Sequence, residues 1–131
     1  MAFNIQDPPS WKILITDNEL DSLRIMQQTI TWHGIHTRTA NSGLQCLAEL
    51  EQTLPDILLL DIQMPSPSGW EIIKTIRANP NWQHLLTIAV TSYALRGDRE
   101  KIIQAGFDNY LPKPINPRTF ISELQALLAH H

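Results

Sequence analysis

The sequence predicts an α/β fold in which a five-stranded parallel sheet carries helices on both faces. Three observations lead there. Five short apolar runs alternate with five helix-like segments along 131 residues, the pattern of repeated β-α units rather than of hairpins. The connections are short, so each strand returns to the same sheet beside earlier ones. The central run, Ile57-Leu58-Leu59-Leu60, is apolar at every position, as suits a strand covered on both faces.

Each element has its own warrant. Ile13-Leu14-Ile15 is the first strand, and Leu20, Leu23, Met26 and Ile30 then recur at helical spacing up to Gly34. His36–Ala40 is a weaker second strand. Ser42 and Gln45 stand three apart like a capping box and open a helix with Leu44, Leu47 and Leu50 on one face. The Ile57 run is the third strand. A proline-containing loop follows, and Ile72, Ile73 and Ile76 then mark a third helix that stops near Asn79-Pro80. Residues 87–91 read as the fourth strand, 100–104 as a shorter helix leading to Gly106, and Tyr110-Leu111 as the fifth strand. Asn116 stands as an N-cap before Pro117 at the first helical position, and Phe120, Ile121, Leu124, Leu127 and Leu128 supply the last apolar face. Residues 1–11 read as an N-terminal extension and 12–129 as one domain. His130 and His131 read as a C-terminal tail, either native or the stub of a tag.

Composition removes several function classes. Hydrophobic residues make up 43% and charged residues 18%, a globular balance. A net charge of −3 without basic runs argues against a direct nucleic-acid partner. The lone Cys46 cannot close an internal disulfide and fits a reducing cytoplasm. The apolar runs are far shorter than the roughly 20 residues of a membrane span, and Asp7, Pro8 and Pro9 interrupt the region where a signal peptide needs an apolar core. A cytoplasmic protein without a membrane partner is expected. No glycine-rich phosphate loop is present, which disfavours a nucleotide-binding enzyme. His33 and His36 straddle a helix end and a strand start, a poor arrangement for a shared metal. Cys46 reads as a small buried side chain, and the four tryptophans, not interleaved with basic residues, read as packing or partner-surface residues.

The chemistry sits just after the strands. Asp17 and Asn18 follow the first, Asp61 ends the third, Thr91 and Ser92 follow the fourth, and Lys113 follows the fifth. In an open parallel sheet the binding site lies at these carboxyl ends. Any one of these residues alone is more ordinarily a cap, a turn residue or a solvated charge. Four strand ends with complementary groups are a different matter. Paired acids make a hard oxygen site suited to Mg²⁺, a carboxylate beside that ion can attack a phosphoryl group, and a hydroxyl and an ammonium can bind the oxygens that arrive.

With those residues in view, the chain resembles the response-regulator receiver domains of two-component and phosphorelay signalling. Asp61-Ile62-Gln63-Met64-Pro65, with Gly69 eight residues after the aspartate, resembles their phosphoacceptor loop. Ala89-Val90-Thr91-Ser92, Leu95-Arg96-Gly97-Asp98-Arg99-Glu100, and Ala105-Gly106 leading to Tyr110-Leu111-Pro112-Lys113-Pro114-Ile115 are similar to further family motifs, and the resemblance covers 12–128. It implies the flavodoxin-like (βα)5 receiver fold. Asp61 would be the phosphoacceptor, Asp17 part of the Mg²⁺ site with the Gln63 backbone carbonyl, Thr91 the switch hydroxyl, Tyr110 the switch aromatic and Lys113 the phosphate-pairing lysine. A Lys113-Pro114 cis bond is also implied. The upstream partner would be a histidine kinase or a histidine phosphotransfer protein. The downstream partner would be a protein bound on the face of the fourth helix, fifth strand and fifth helix. With no output domain after the last helix, a stand-alone signalling module is expected, whose only catalysis is its own phosphorylation and dephosphorylation. The residues two after Asp61 and two after Thr91, Gln63 and Tyr93, would tune water access, the bulk of Tyr93 giving slow self-dephosphorylation.

One position departs from the pattern. The family carries two adjacent acids after the first strand, and the ungapped match, which keeps Ile25, Met26 and Ile30 in register, puts Asn18 at the second. Asn18 would then be a weak metal ligand, lowering Mg²⁺ affinity. A shift of one residue instead makes Thr16 the replaced acid and Asp17 the direct ligand. Two other readings stay open: a binding module that keeps the fold but signals without phosphate, and a small flavodoxin-like or hydrolytic α/β protein.

Overall fold

A computed structural model describes residues 3–92 and 96–129. Its strands are β1 (Lys12–Thr16), β2 (His36–Ala40), β3 (Ile57–Asp61), β4 (Leu86–Thr91) and β5 (Asn109–Pro112). Its helices are α1 (Leu20–Trp32), α2 (Gly43–Gln52), α3 (Gly69–Ala78), α4 (Arg96–Ala105) and α5 (Phe120–Ala129), with a 3-10 turn at Pro8–Ser10 before β1. The strands form one parallel sheet in the order β2-β1-β3-β4-β5. This is the predicted fold class, and it follows from one fact. A two-residue period sends alternate strand residues to opposite faces, and both faces here need cover. Ile13, Ile15, Ile57, Leu59, Ile88 and Val90 pack with Leu23, Met26 and Ile30 of α1 and with Phe120, Leu124 and Leu128 of α5. Leu14, Leu58, Leu60 and Ala89 pack on the other side with Cys46 and Leu50 of α2, Ile72, Ile73 and Ile76 of α3, and Ile102 of α4.

The structure shifts several sequence expectations at the helix faces. Leu44 does not share the buried face of α2: it is 70% exposed, and Gly43, Cys46 and Leu50 point inward instead. Leu20, at the first turn of α1, is 60% exposed, and Ile25 is 47% exposed while Leu23, Met26, Thr29 and Ile30 are buried. Leu44 lies beside the buried Gly43 and Cys46 and Ile25 beside the buried Met26, so apolar spacing alone misses the buried face by one residue. Ser42 caps α2 by accepting from Gln45 N, but the Gln45 side chain returns to Asn41 N and the box stays open. The closed capping box is Ser68 with Glu71 on α3. Asn116 accepts from Arg118 N and Thr119 N, holding a turn, and α5 itself begins at Phe120, later than Pro117 suggested.

The N-terminal segment lies on the first core. Trp11 is fully buried, Phe3 and Ile5 pack beside it, Trp11 Nε1 donates to Asn4 O at 2.8 Å, and Gln125 Nε2 of α5 donates to Ile5 O at 2.9 Å. Among the described residues no helix is long and apolar enough to cross a membrane.

Candidate functional site

The strand order reverses at β1, which has β2 on one side and β3 on the other. The crevice at the carboxyl ends beside that switch point is where an α/β sheet binds ligands. Register carries the acids there. Thr16 pairs with Leu60, so the next residues of the two strands, Asp17 and Asp61, stand side by side. Asp61 pairs with Val90, Thr91 pairs with Pro112, and Lys113 N donates to Thr91 O at 2.8 Å. The backbone ladder thus delivers Asp17, Asp61, Thr91 and Lys113 to one edge.

Both carboxylates are almost wholly buried, Asp17 at 0% and Asp61 at 1% exposure. Each is fixed in the same way. Asp17 Oδ1 accepts from Glu19 N at 2.9 Å and Asp61 Oδ1 from Gln63 N at 3.2 Å, a side-chain turn that aspartate makes readily with the backbone two residues on. Each second oxygen faces Lys113, whose Nζ lies 2.8 Å from Asp17 Oδ2 and 3.5 Å from Asp61 Oδ2. Apart from that ammonium, neither Oδ2 meets a donor among the described residues. The Lys113–Pro114 and Ser66–Pro67 peptide bonds are cis. Gly69 closes the floor: a Cβ there would lie 2.5 Å from Ile62 Cα and 2.6 Å from Asp61 O, so only glycine lets α3 start this close to the Asp61 loop.

The electrostatics follow from burial. Loss of water pushes Asp61 up to about 6, the Asp17 charge adds to the rise, and Lys113 and the Gln63 N–H oppose it. Burial alone would depress Lys113, but its hydrogen bond to Asp17 and the charges of Asp17 and Asp61 outweigh that and raise it. Cys46, on α2, is pushed up to about 11, chiefly by burial, and is a neutral thiol. The donor set of the crevice suits a hard divalent cation, because buried carboxylate oxygens without hydrogen-bond donors need positive charge.

Of the residues singled out from the sequence, Asp17, Asp61 and Lys113 meet directly. Thr91 is buried at the same edge. Tyr110 is half-buried on β5 and packs against the second core. Asn18 is exposed and Gln63 is exposed on its loop, and Asn18 belongs to none of these contacts. Thr16 is fully buried, on the side of β1 that faces the Cys46 thiol of α2. Tyr93 lies outside the described residues, as do Leu95 and the His130–His131 tail. Sequence reasoning passed over Glu19, whose Oε1 is 3.3 Å from Lys113 Nζ. The available signal was its position two residues after Asp17, where a side-chain turn folds it back over the acid.

Comparison with known proteins agrees with this geometry. The family model "Response regulator receiver domain" matches residues 13–125. The polar-differentiation response regulator DivK of Brucella ovis is 35% identical over 116 residues, covering 88% of this chain and 94% of DivK. In fold, the chemotaxis response regulator CheY4 of Vibrio cholerae superposes with a TM-score of 0.83 at 24% identity, over 89% of this chain and 98% of CheY4. A putative response regulator from Chloroflexus aurantiacus gives 0.83 at 25% identity, over 92% of this chain and 98% of its own.

Proposed function

The chain belongs to the response regulator receiver domain family, and from that premise we propose that it takes a phosphoryl group on Asp61 from a histidine kinase or a histidine phosphotransfer protein and reports it to a protein partner. One observation carries the reading: two buried carboxylates converge on one ammonium, 2.8 and 3.5 Å away, at the ends of the central strands. Burying three charges is costly and does nothing for packing. It suits an edge where a carboxylate nucleophile must stand beside a cation that can pair with phosphoryl oxygens.

The Asp61 carboxylate attacks the phosphorus of a phosphohistidine. An O–P bond forms as the P–N bond breaks, and the departing imidazole nitrogen keeps the electron pair. Lys113 pairs with the phosphoryl oxygens and the Thr91 hydroxyl donates to one of them. Asp17, Asp61 and the Gln63 backbone carbonyl would hold Mg²⁺, which when bound offsets the charge between nucleophile and phosphoryl group. Thr91 and Tyr110 couple the event to the α4–β5–α5 face by shifting a two-state equilibrium. A groove of 550 Å³ there, lined by Arg99, Tyr110, Leu111, Glu123 and Leu127 among others, offers a target both apolar and charged contacts. The lone, buried Cys46 suits the reducing cytoplasm in which such donors work.

Intact mass after incubation with acetyl phosphate and Mg²⁺ tests the reading. Wild type gains one phosphoryl group and Asp61→Asn gains none. Equal labelling of Asp61→Asn moves the acceptor elsewhere. An unlabelled wild type favours a module that signals without phosphate.

A further inference from the structure

The cation in the crevice touches three carboxylates, not two. Lys113 Nζ is 2.8 Å from Asp17 Oδ2, 3.3 Å from Glu19 Oε1 and 3.5 Å from Asp61 Oδ2. One oxygen from each of Asp17, Glu19 and Asp61 lies within 4.8 Å of the others. Octahedral ligand oxygens about 2.1 Å from Mg²⁺ lie about 3 to 4.2 Å from one another. A small inward swing of a side chain that is 67% exposed brings Glu19 to that spacing, while Asp17 and Asp61 are already fixed by the N–H groups of Glu19 and Gln63.

The geometry points to Glu19 as the third carboxylate of the divalent-cation site, an outer and movable ligand that supplies the acid missing beside Asp17. The inference rests on the phosphoacceptor reading of the same crevice. Charge gives the reason. The chain neighbours of Asp17 are Thr16 and Asn18, both neutral. With Lys113 in place, Asp17 and Asp61 leave a formal charge of only −1. Glu19 makes it −2, which matches a divalent ion. The buried Oδ2 atoms of Asp17 and Asp61 meet no donor besides the ammonium among the described residues, which leaves lone pairs that a divalent ion can take.

Calorimetric titration of the full chain with Mg²⁺, at about 0.1 M and about 1 M KCl, separates ligation from a distant field, since the screening length falls from about 10 Å to about 3 Å. Glu19→Gln is expected to weaken Mg²⁺ about five-fold or more at both salt concentrations. Glu19→Asp keeps the charge but falls one methylene short and is expected to recover less than half of that loss. Unchanged affinity in Glu19→Gln, or a deficit that vanishes at high salt, overturns the assignment. Acetyl phosphate labelling distinguishes the two readings. A labelled wild type with unchanged Mg²⁺ affinity in Glu19→Gln defeats the Glu19 role alone. An unlabelled wild type whose Glu19→Gln variant still loses Mg²⁺ defeats the phosphoacceptor reading alone.

Discussion

Single residues in the crevice hold charge at a cost, and the cost has a pH signature. Asp61 is raised to about 6 in the folded chain from an ordinary 3.8. A carboxyl raised on folding favours the native state while protonated. That advantage is full below the unfolded value and is lost as pH rises through about 6. Without Mg²⁺, Asp61→Asn is therefore expected to stabilise the fold at pH 8 by about 1–3 kcal/mol, since each tenfold change in proton affinity is worth about 1.4 kcal/mol, and by little at pH 4. Urea unfolding at the two pH values measures it, and an equal effect at both would show that Asp61 bears no such penalty. The site was legible at this scale because its chemistry depends on residue type at strand ends, where Asp17, Asp61, Thr91 and Lys113 are readable without coordinates. Glu19 carried only the weak signal of its place two residues after Asp17. Its place depends on a loop that turns back over Asp17, and three-dimensional proximity of that kind leaves no periodicity to count.

Among the elements, the end of the sheet away from the crevice hangs on one side chain. Arg77 of α3 donates from Nε to Gly106 O at 2.8 Å, from Nη1 to Gln83 O and Leu85 O at 3.0 and 2.8 Å, and from Nη2 to Asp108 Oδ2 at 3.0 Å. Asp108 Oδ2 also accepts from Thr87 N, so one guanidinium ties α3 to the segments that lead into β4 and β5 and, through Asp108, to β4 itself. Arg77→Ala leaves three carbonyls and a carboxylate short of donors and is expected to cost about 2–4 kcal/mol. Arg77→Lys is expected to recover under half of that, because one ammonium cannot span a planar fork of acceptors. Chemical denaturation of the three proteins decides it, and a fully stable Arg77→Lys would reduce the network to a single ion pair. Helix and strand identity came through in the sequence because burial on both faces of a parallel sheet forces short, uninterrupted apolar runs that contrast with the helical spacing between them. Helix faces did so less well. Leu44 and Leu20 have nearly the right spacing but are exposed, Leu44 lying off the face that Gly43, Cys46 and Leu50 bury, and spacing alone does not fix the buried face to one residue.

In the molecule as a whole, the crevice is positioned by a scaffold that extends beyond the β-α repeats. Trp11 precedes β1 and is fully buried, capped by Asn4 O and flanked by Phe3. Trp11→Ala is expected to cost about 3–5 kcal/mol, the range for emptying a large aromatic site, and to lower the melting temperature without changing which residue is labelled. A loss under about 1 kcal/mol would mean the segment is dispensable. The sequence shows Trp11 and does not show its burial, since a tryptophan outside any periodic run carries no face. On the proposed function, this scaffold makes the carboxylate of Asp61, and no other, the phosphoacceptor. Borohydride reduction of the phosphorylated chain converts an aspartyl phosphate to homoserine, and peptide mapping then locates it. Homoserine at position 61 alone is the predicted result. Reduction product at Asp17 or Glu19, or none in a chain that has gained a phosphoryl group, would contradict it.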